Sequence, residues 1–318
     1  MKTLESIAHL LREGKRFFLA THLNPDGDAL GSMFAMSLAL RDQGKEVWCY
    51  LEEEIPALYQ WLPGQEFVRR GCPKDDAWIG LVLDCAEAKR VGQAAEFLGR
   101  LKEIIVLDHH EVTGTLGTHR LIEPIYATGG LVFRLLNQLS WPITKEIAEN
   151  LYTAIFSDTG GFRFSQTTAE TFEVAQALVK AGAEPAKIAE FLYEHYPFSR
   201  FCLLRRVLDR LELVARGKAS VSFLRHEDFK ECQASKADPD DFANFLRSID
   251  GVEISALVKE YHPEEISVSL RSRGKINVAR LALEFGGGGH ACAAGFKLRG
   301  ELSRVLNLVR ERLEALFS

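Results

Sequence analysis

The chain has 318 residues, 47% hydrophobic and 26% charged, a composition that allows two buried cores and fits an ordinary globular protein. A formal net charge of −5 gives no general pull toward nucleic acid or anionic lipid, which excludes long duplex DNA and membrane surfaces as expected partners. No stretch approaches the roughly 20 apolar residues that cross a bilayer and no signal-peptide core opens the chain, so a cytoplasmic location is expected.

In chain order, Arg16–Thr21 reads as a buried strand, followed by a helical run from about Asp28 to Gln43 closed by Gly44. Val47–Leu51, Ile79–Leu83 and Ile104–Leu107 read as further strands with helical segments between them. That alternation predicts an α/β fold built on a mostly parallel sheet. Gly129–Leu139 and Thr144–Phe156 carry helical periodicity, as do the run opened by Thr167-Thr-Ala-Glu170 and the run from Ala186 to Tyr196. We expect a catalytic domain over 1–196, a linker over 197–206, and a smaller α+β domain over 207–318. In the latter, Leu208–Val214 would pair with Ala219–Leu224, and Ile254–Tyr261 with Ile266–Arg271. A helix over Val278–Phe285, the run Gly286-Gly-Gly-Gly289-His290, a strand near Gly295–Leu298 and a terminal helix would complete it.

The six cysteines, Cys49, Cys72, Cys85, Cys202, Cys232 and Cys292, contain no C-x-x-C pair. They are expected to be reduced thiols that serve packing.

Three apolar strands lead directly into acidic or histidine residues: Thr21 into His22, Leu83 into Asp84, and Leu107 into Asp108-His109-His110. In a parallel sheet the carboxyl ends of strands share one edge, so these side chains would converge. Carboxylates gathered in this way repel one another, and a bound cation resolves the conflict. Oxygen and imidazole ligands without thiolate favour manganese, with magnesium or cobalt as alternatives, over a structural zinc. His22, Asp26, Asp28, Asp84, His109 and Asp158 exceed the needs of one ion, and two divalent metal ions are the economical reading. Each cluster has a plainer reading by itself: Pro25-Asp-Gly-Asp28 is good turn chemistry, Asp28 a helix cap, and Asp158 a helix-end residue. Their joint occurrence argues for the metal site.

The pattern His22-x-x-x-Asp26-x-Asp28, Asp84, Asp108-His109-His110 and Asp158 resembles the four motifs of the DHH phosphoesterase superfamily. Arg271-Ser-Arg273 and Gly286-Gly-Gly-Gly-His290 with Ala294-Gly295 resemble its DHHA1 domain. Within the superfamily, the two-domain length most resembles the oligoribonuclease and pAp phosphatase (nano-RNase) branch. The resemblance implies that His22, Asp26 and Asp84 hold one metal, and Asp28, Asp84, His109 and Asp158 the other, with Asp84 shared. It also implies catalytic roles for Asp84, for Asp108 as support to a neighbouring histidine, and for His110 as a contact to the scissile phosphate. Expected substrates are short RNA oligonucleotides or nucleotides such as pAp, pApA and pGpG; a homodimer stays open.

The glycine run reads as a flexible connector or as a surface where backbone N–H groups approach an anion. With His290 following and Arg271, Arg273 and Lys275 upstream, Gly287, Gly288, Gly289 and His290 are candidates, with Arg271 and Arg273, for holding the substrate's non-scissile phosphate. Phe162 and Phe164 could stack on a base, although such aromatics more often pack the interior. A small-phosphate hydrolase such as an inorganic pyrophosphatase, or a non-catalytic nucleotide-binding protein, are the competing readings.

Overall fold

The computed structural model describes residues 2–110, 114–239 and 241–317 and divides into two units, up to His195 and from Tyr196. In the first unit the elements are α1 (Lys2–Glu13), β1 (Arg16–Ala20), α2 (Gly27–Asp42), β2 (Glu46–Tyr50), β3 (Val68–Arg69), β4 (Ile79–Leu83), α3 (Ala94–Leu98), β5 (Ile104–Asp108) and β6 (His119–Ile122). Helices α4 (Thr128–Leu139), α5 (Lys145–Asp158), α6 (Ala169–Lys180) and α7 (Pro185–Tyr193) follow. All strand pairs are parallel, in the order β3-β2-β1-β4-β5-β6.

The period-two alternation of the central strands divides them between two cores. Phe17, Leu19, Leu81, Leu83, Ile105 and Leu107 join the helices on one face, while Phe18, Ala20, Val82 and Val106 meet Trp78 and Phe97 on the other. Burial on both faces is why these strands read as unbroken apolar runs. The short edge strands β3 and β6 are half-buried or exposed, without an apolar run to mark them in the sequence.

From β1 the chain moves to β2 on one side and later returns to β4 on the other. That strand-order reversal is where open α/β sheets bind ligands beyond the strands' carboxyl ends. The register pairs Ala20 with Val82 and Leu83 with Leu107, so the residues next after the three strands come abreast.

The second unit contains α8 (Phe198–Asp209), β7 (Glu212–Val214), β8 (Ala219–Leu224), α9 (His226–Glu231), α10 (Phe242–Arg247), β9 (Ile254–His262), β10 (Glu265–Ser272), α11 (Val278–Leu283), β11 (Gly288–His290), β12 (Ala293–Arg299) and α12 (Leu302–Ala315). Its sheet runs β11-β12-β10-β9-β8-β7 and is antiparallel except between β8 and β9.

Two expectations need correction here. Residues 197–206, read as a linker, lie largely within α8, because Leu203 and Val207 bury one turn apart against Leu224, Phe242 and Leu246; the strand expected from Leu208 therefore begins only at Glu212. Cys202 and Cys232, read as reduced, form a disulfide that joins α8 to the end of α9. They are 30 residues apart in sequence and meet only because both helices contribute to one core.

No helix among the described residues is long and apolar enough to cross a membrane.

Candidate metal centre

Asp84 follows β4 and stands at the middle of the cluster. Its amide donates to the Leu107 carbonyl at 2.8 Å, and Thr21 Oγ1 donates to the Leu83 carbonyl at 2.9 Å, locking the three strand ends together. The backbone of Asp84 is left-handed (φ +59), a conformation that Asp and Asn tolerate better than most side chains. Thr128 Oγ1 donates to Asp84 Oδ1 at 2.9 Å.

Asp26 and Asp28 divide the work at the start of α2. Asp26 Oδ1 accepts the amides of Asp28 at 3.1 Å and Ala29 at 3.0 Å, so Asp26 is the helix cap and remains exposed. Asp28 is buried in the first turn and reaches a different helix. It accepts the amides of Thr128 at 2.7 Å and Gly129 at 2.9 Å, and the hydroxyl of Ser32 at 3.1 Å. Ala127 stands at the N-cap of α4 and has no capping side chain, and Asp28 places its carboxylate on that open positive end.

Close packing of α2 on α5 brings in Asp158. A Cβ on Gly27 would meet Ser157 Oγ at 2.6 Å, and one on Gly31 would meet the Asn150 carbonyl oxygen at 2.4 Å. Two glycines one turn apart therefore let the helix backbones approach, and Asp158 at the end of α5 arrives beside Asp28.

The histidines are oriented by backbone carbonyls. Nδ1 of His22 lies 2.8 Å from the Leu23 oxygen, and Nδ1 of His109 lies 3.0 Å from the Ile125 oxygen. A carbonyl only accepts, so each Nδ1 carries a proton and each Nε2 is turned toward the carboxylates. Nε2 of His22 is 3.4 Å from Asp84 Oδ2, and Nε2 of His109 is 3.5 Å from Asp84 Oδ1 and 3.7 Å from both Asp28 Oδ2 and Asp158 Oδ2. Most of these separations exceed a good hydrogen bond but suit ligands that share a cation. His110 differs: its Nδ1 is 2.6 Å from Asp108 Oδ1, which also accepts the His110 amide at 3.1 Å.

The electrostatics state the same conflict. Burial, then repulsion from Asp84, Asp158 and Asp26, holds the Asp28 carboxyl well above its ordinary range. Burial, then Asp26 and Asp84, pushes Asp158 up to about 6 against the opposing pull of His109. Burial would raise Asp84 too, but the His22 hydrogen bond and the three histidines outweigh it and hold it low. Asp158 Oδ2 is buried without a hydrogen-bond partner among the described residues. His22, Asp26 and Asp84 form one group able to hold a metal ion; Asp28, His109 and Asp158 form a second; Asp84, His109 and His110 form a third. An oxygen and imidazole donor set with surplus buried negative charge fits a divalent cation.

In the second unit, Arg271 lies on β10 and pairs with Ala293, which pairs in turn with His290, so these positions share one row across three strands. The glycine run ends in an edge strand instead of a loop: Gly288 pairs with Gly295 and Gly289 with Ala294, while the Gly287 amide donates to the Ala282 carbonyl at 2.9 Å. Nη2 of Arg273 donates to the carbonyls of Arg247 and Ile249, each at 3.3 Å. Lys275 lies 3.8 Å from Glu253. The side chain of His290 lies outside the described residues. Phe162 is half-buried and packs against Tyr152, Phe156 and Phe172, whereas Phe164 is exposed.

Thr128, Ser32 and the Ile125 carbonyl are parts of the centre that motif reading missed. The Gly27/Gly31 spacing was the one local sign that α2 receives another helix closely.

Residues 16–155 match the model of the DHH family, N-terminal domain, and residues 221–316 that of the DHHA1 domain. The bifunctional oligoribonuclease and PAP phosphatase NrnA of Thermus thermophilus is 34% identical over 304 residues, covering 93% of this chain and 90% of that protein. The chain belongs to the DHH family. An exopolyphosphatase-related protein from Bacteroides fragilis shares the fold of this DHH chain throughout, with a TM-score of 0.93 and 27% identity over 99% of this chain and 97% of that one. The likeness to RecJ from Thermus thermophilus, solved in complex with Mn2+, is one of fold: TM-score 0.60 and 17% identity, over 100% of this DHH chain and 55% of RecJ.

Proposed function

We propose that this DHH chain is a metal-dependent phosphoesterase acting on nucleotides, and that it hydrolyses short RNA oligonucleotides and the phosphomonoester of pAp. The observation that carries the reading is the pair of histidines whose Nδ1 atoms are committed to carbonyls while both Nε2 atoms face Asp84. The relative from Thermus thermophilus, named for oligoribonuclease and PAP phosphatase activity, supports the substrate class. A cytoplasmic location goes with that substrate class.

His22, Asp26 and Asp84 would hold one divalent ion and Asp28, Asp84, His109 and Asp158 a second, with Asp84 common to both and Mn2+ the first choice. When bound, such a pair acidifies water for attack at phosphorus and offsets charge on the phosphoryl oxygens. The remaining work belongs to side chains. Asp108 holds His110 through Nδ1 and fixes its ring. Burial works against the charged imidazole, but Asp108 and Asp84 outweigh it and raise the His110 pKa. A protonated His110 can donate to a phosphoryl oxygen as that oxygen gains charge, or give a proton to the leaving oxygen.

Arg271, Arg273 and the Gly287–His290 segment would grip the non-scissile end of the substrate, which favours short substrates over long RNA. Arg273→Ala should then raise KM more than it lowers kcat; a collapsed kcat at constant KM speaks against the grip. The decisive measurement is a hydrolysis panel with Mn2+ covering pAp, pApA, pGpG, longer RNA and pyrophosphate. Release from pAp or a dinucleotide is expected. Release from pyrophosphate alone, or from nothing, overturns the reading.

A further inference from the structure

Arg90 lies in the segment after β4, within a short 3-10 turn over Ala88–Val91. Its carbonyl oxygen accepts the Leu23 amide at 2.7 Å, which ties this turn to the residue after His22. On the far side, Glu52 accepts the Gln93 amide at 2.8 Å and the Gln93 side-chain amide at 3.3 Å. Between them Gly92 is left-handed (φ +61), and a Cβ there would strike Glu52 Oε2 at 2.1 Å, so glycine is required for the clasp to close. The backbone carrying Arg90 is pinned on both flanks.

The Arg90 side chain is exposed and makes no hydrogen bond or ion pair among the described residues. Three other arginines of this unit pair with acids, Arg16 with Asp75, Arg70 with Glu54 and Arg134 with Glu123, and Arg69, Arg120 and Arg163 donate to backbone carbonyls. A guanidinium with uncommitted N–H donors, carried on a backbone tied to the residue after His22, matches the planar fork that recognises two oxygens of one phosphoryl group.

We propose that Arg90 binds the scissile phosphoryl group of the substrate, beside the His22 segment; this rests on the phosphoesterase reading. Arg90 exchanges no proton and forms no covalent bond. It presents N–H donors to the non-bridging oxygens, whose negative charge grows as the nucleophile approaches phosphorus and the ester oxygen departs.

The test uses the full chain loaded with Mn2+ and the variants Arg90→Ala and Arg90→Lys. Three quantities are read: kcat/KM for pAp and pApA, the affinity for inorganic phosphate, and the affinity for Mn2+. Arg90→Ala should lower kcat/KM by about 10- to 100-fold and weaken phosphate binding by about tenfold, as loss of a charge-assisted contact implies, with Mn2+ affinity unchanged. Arg90→Lys should recover part of both, and guanidinium at low concentration should partly restore Arg90→Ala. If Arg90→Ala does not fold, Arg90→Gln, which keeps most of the side chain's length, replaces it. Wild-type phosphate affinity and turnover in the variant overturn the proposal, as does a loss of Mn2+ affinity in step with activity. A wild-type protein that cleaves no nucleotide while Arg90→Ala still loses phosphate binding would sink the substrate reading and leave Arg90 in its role.

Discussion

His109 and Asp84 face each other at 3.5 Å, Nε2 to Oδ1, while the other ring nitrogen of His109 is held by the Ile125 carbonyl. Neither partner can turn away: the Asp84 backbone is tied to Leu107 and the His109 ring to Ile125. The pair is held apart as an ion would hold it, which gives the first prediction. Chelator-treated protein should be less heat-stable than protein given Mn2+, with a gain of about 3 kcal/mol when the ion is at a hundredfold excess over its Kd. Asp84→Ala should abolish both the gain and the hydrolysis. Thermal melts that ignore Mn2+, Mg2+ and Co2+ alike would show that the cluster is not a metal centre.

Gly31→Ala tests how Asp158 is delivered. The added methyl would meet the Asn150 carbonyl oxygen at 2.4 Å, and backbone on one helix cannot yield without moving α5. We expect a loss of about 1–3 kcal/mol in urea unfolding together with weaker Mn2+ binding. Unchanged metal affinity in a destabilised variant would mean that Asp158 reaches the site independently of the α2–α5 spacing.

Asp108→Asn separates support of His110 from metal binding. Removing the carboxylate withdraws the charge that raises the His110 pKa, so protonated His110 persists only to a lower pH. Activity should fall by about 10²-fold, and the alkaline limb of the kcat/KM profile should move toward acid, with Mn2+ affinity preserved. A pH profile of unaltered position would assign the proton transfer elsewhere.

The buried Asp228 of the second unit governs an acid limit on stability. Burial raises its pKa, but Arg210, whose Nη2 donates to Oδ1 at 2.9 Å, and the Arg225 amide at 2.7 Å more than offset this and hold the carboxyl below its ordinary range. A depressed folded pKa means that the contribution is complete above the unfolded value of about 3.9 and disappears as pH falls through the folded one. Asp228→Asn should cost about 3 kcal/mol near neutrality, and the difference from wild type should shrink as the pH drops below about 4. A constant difference across that range would remove Asp228 from the account.

Some of this architecture is legible in the amino-acid order alone. Short apolar runs such as Leu81–Leu83 and Ile105–Leu107 announce buried parallel strands because burial on both faces permits few polar positions. The edge strands β3 and β6, half in solvent, obey no such rule and left no trace. In the second unit, Leu203 and Val207 were spaced for a helix, yet the segment looked like a connector because the core that buries them comes from Leu224, Phe242 and Leu246 far along the chain.

By itself the sequence determined the parallel α/β organisation and the set of acidic and histidine residues at the strand ends. Both are local: periodicity is written within a strand, and the candidate ligands His22, Asp84 and His109 stand within two residues of a strand's last position. Only the tertiary structure decided how those residues divide. Asp26 caps its own helix while Asp28 takes the open end of α4; His109 is committed through Ile125 while His110 leans on Asp108; the glycine run becomes an edge strand; and Cys202 finds Cys232. Most of these outcomes depend on a partner that is distant in sequence and becomes a neighbour only when helices and strands pack, so no pattern within one segment could encode them.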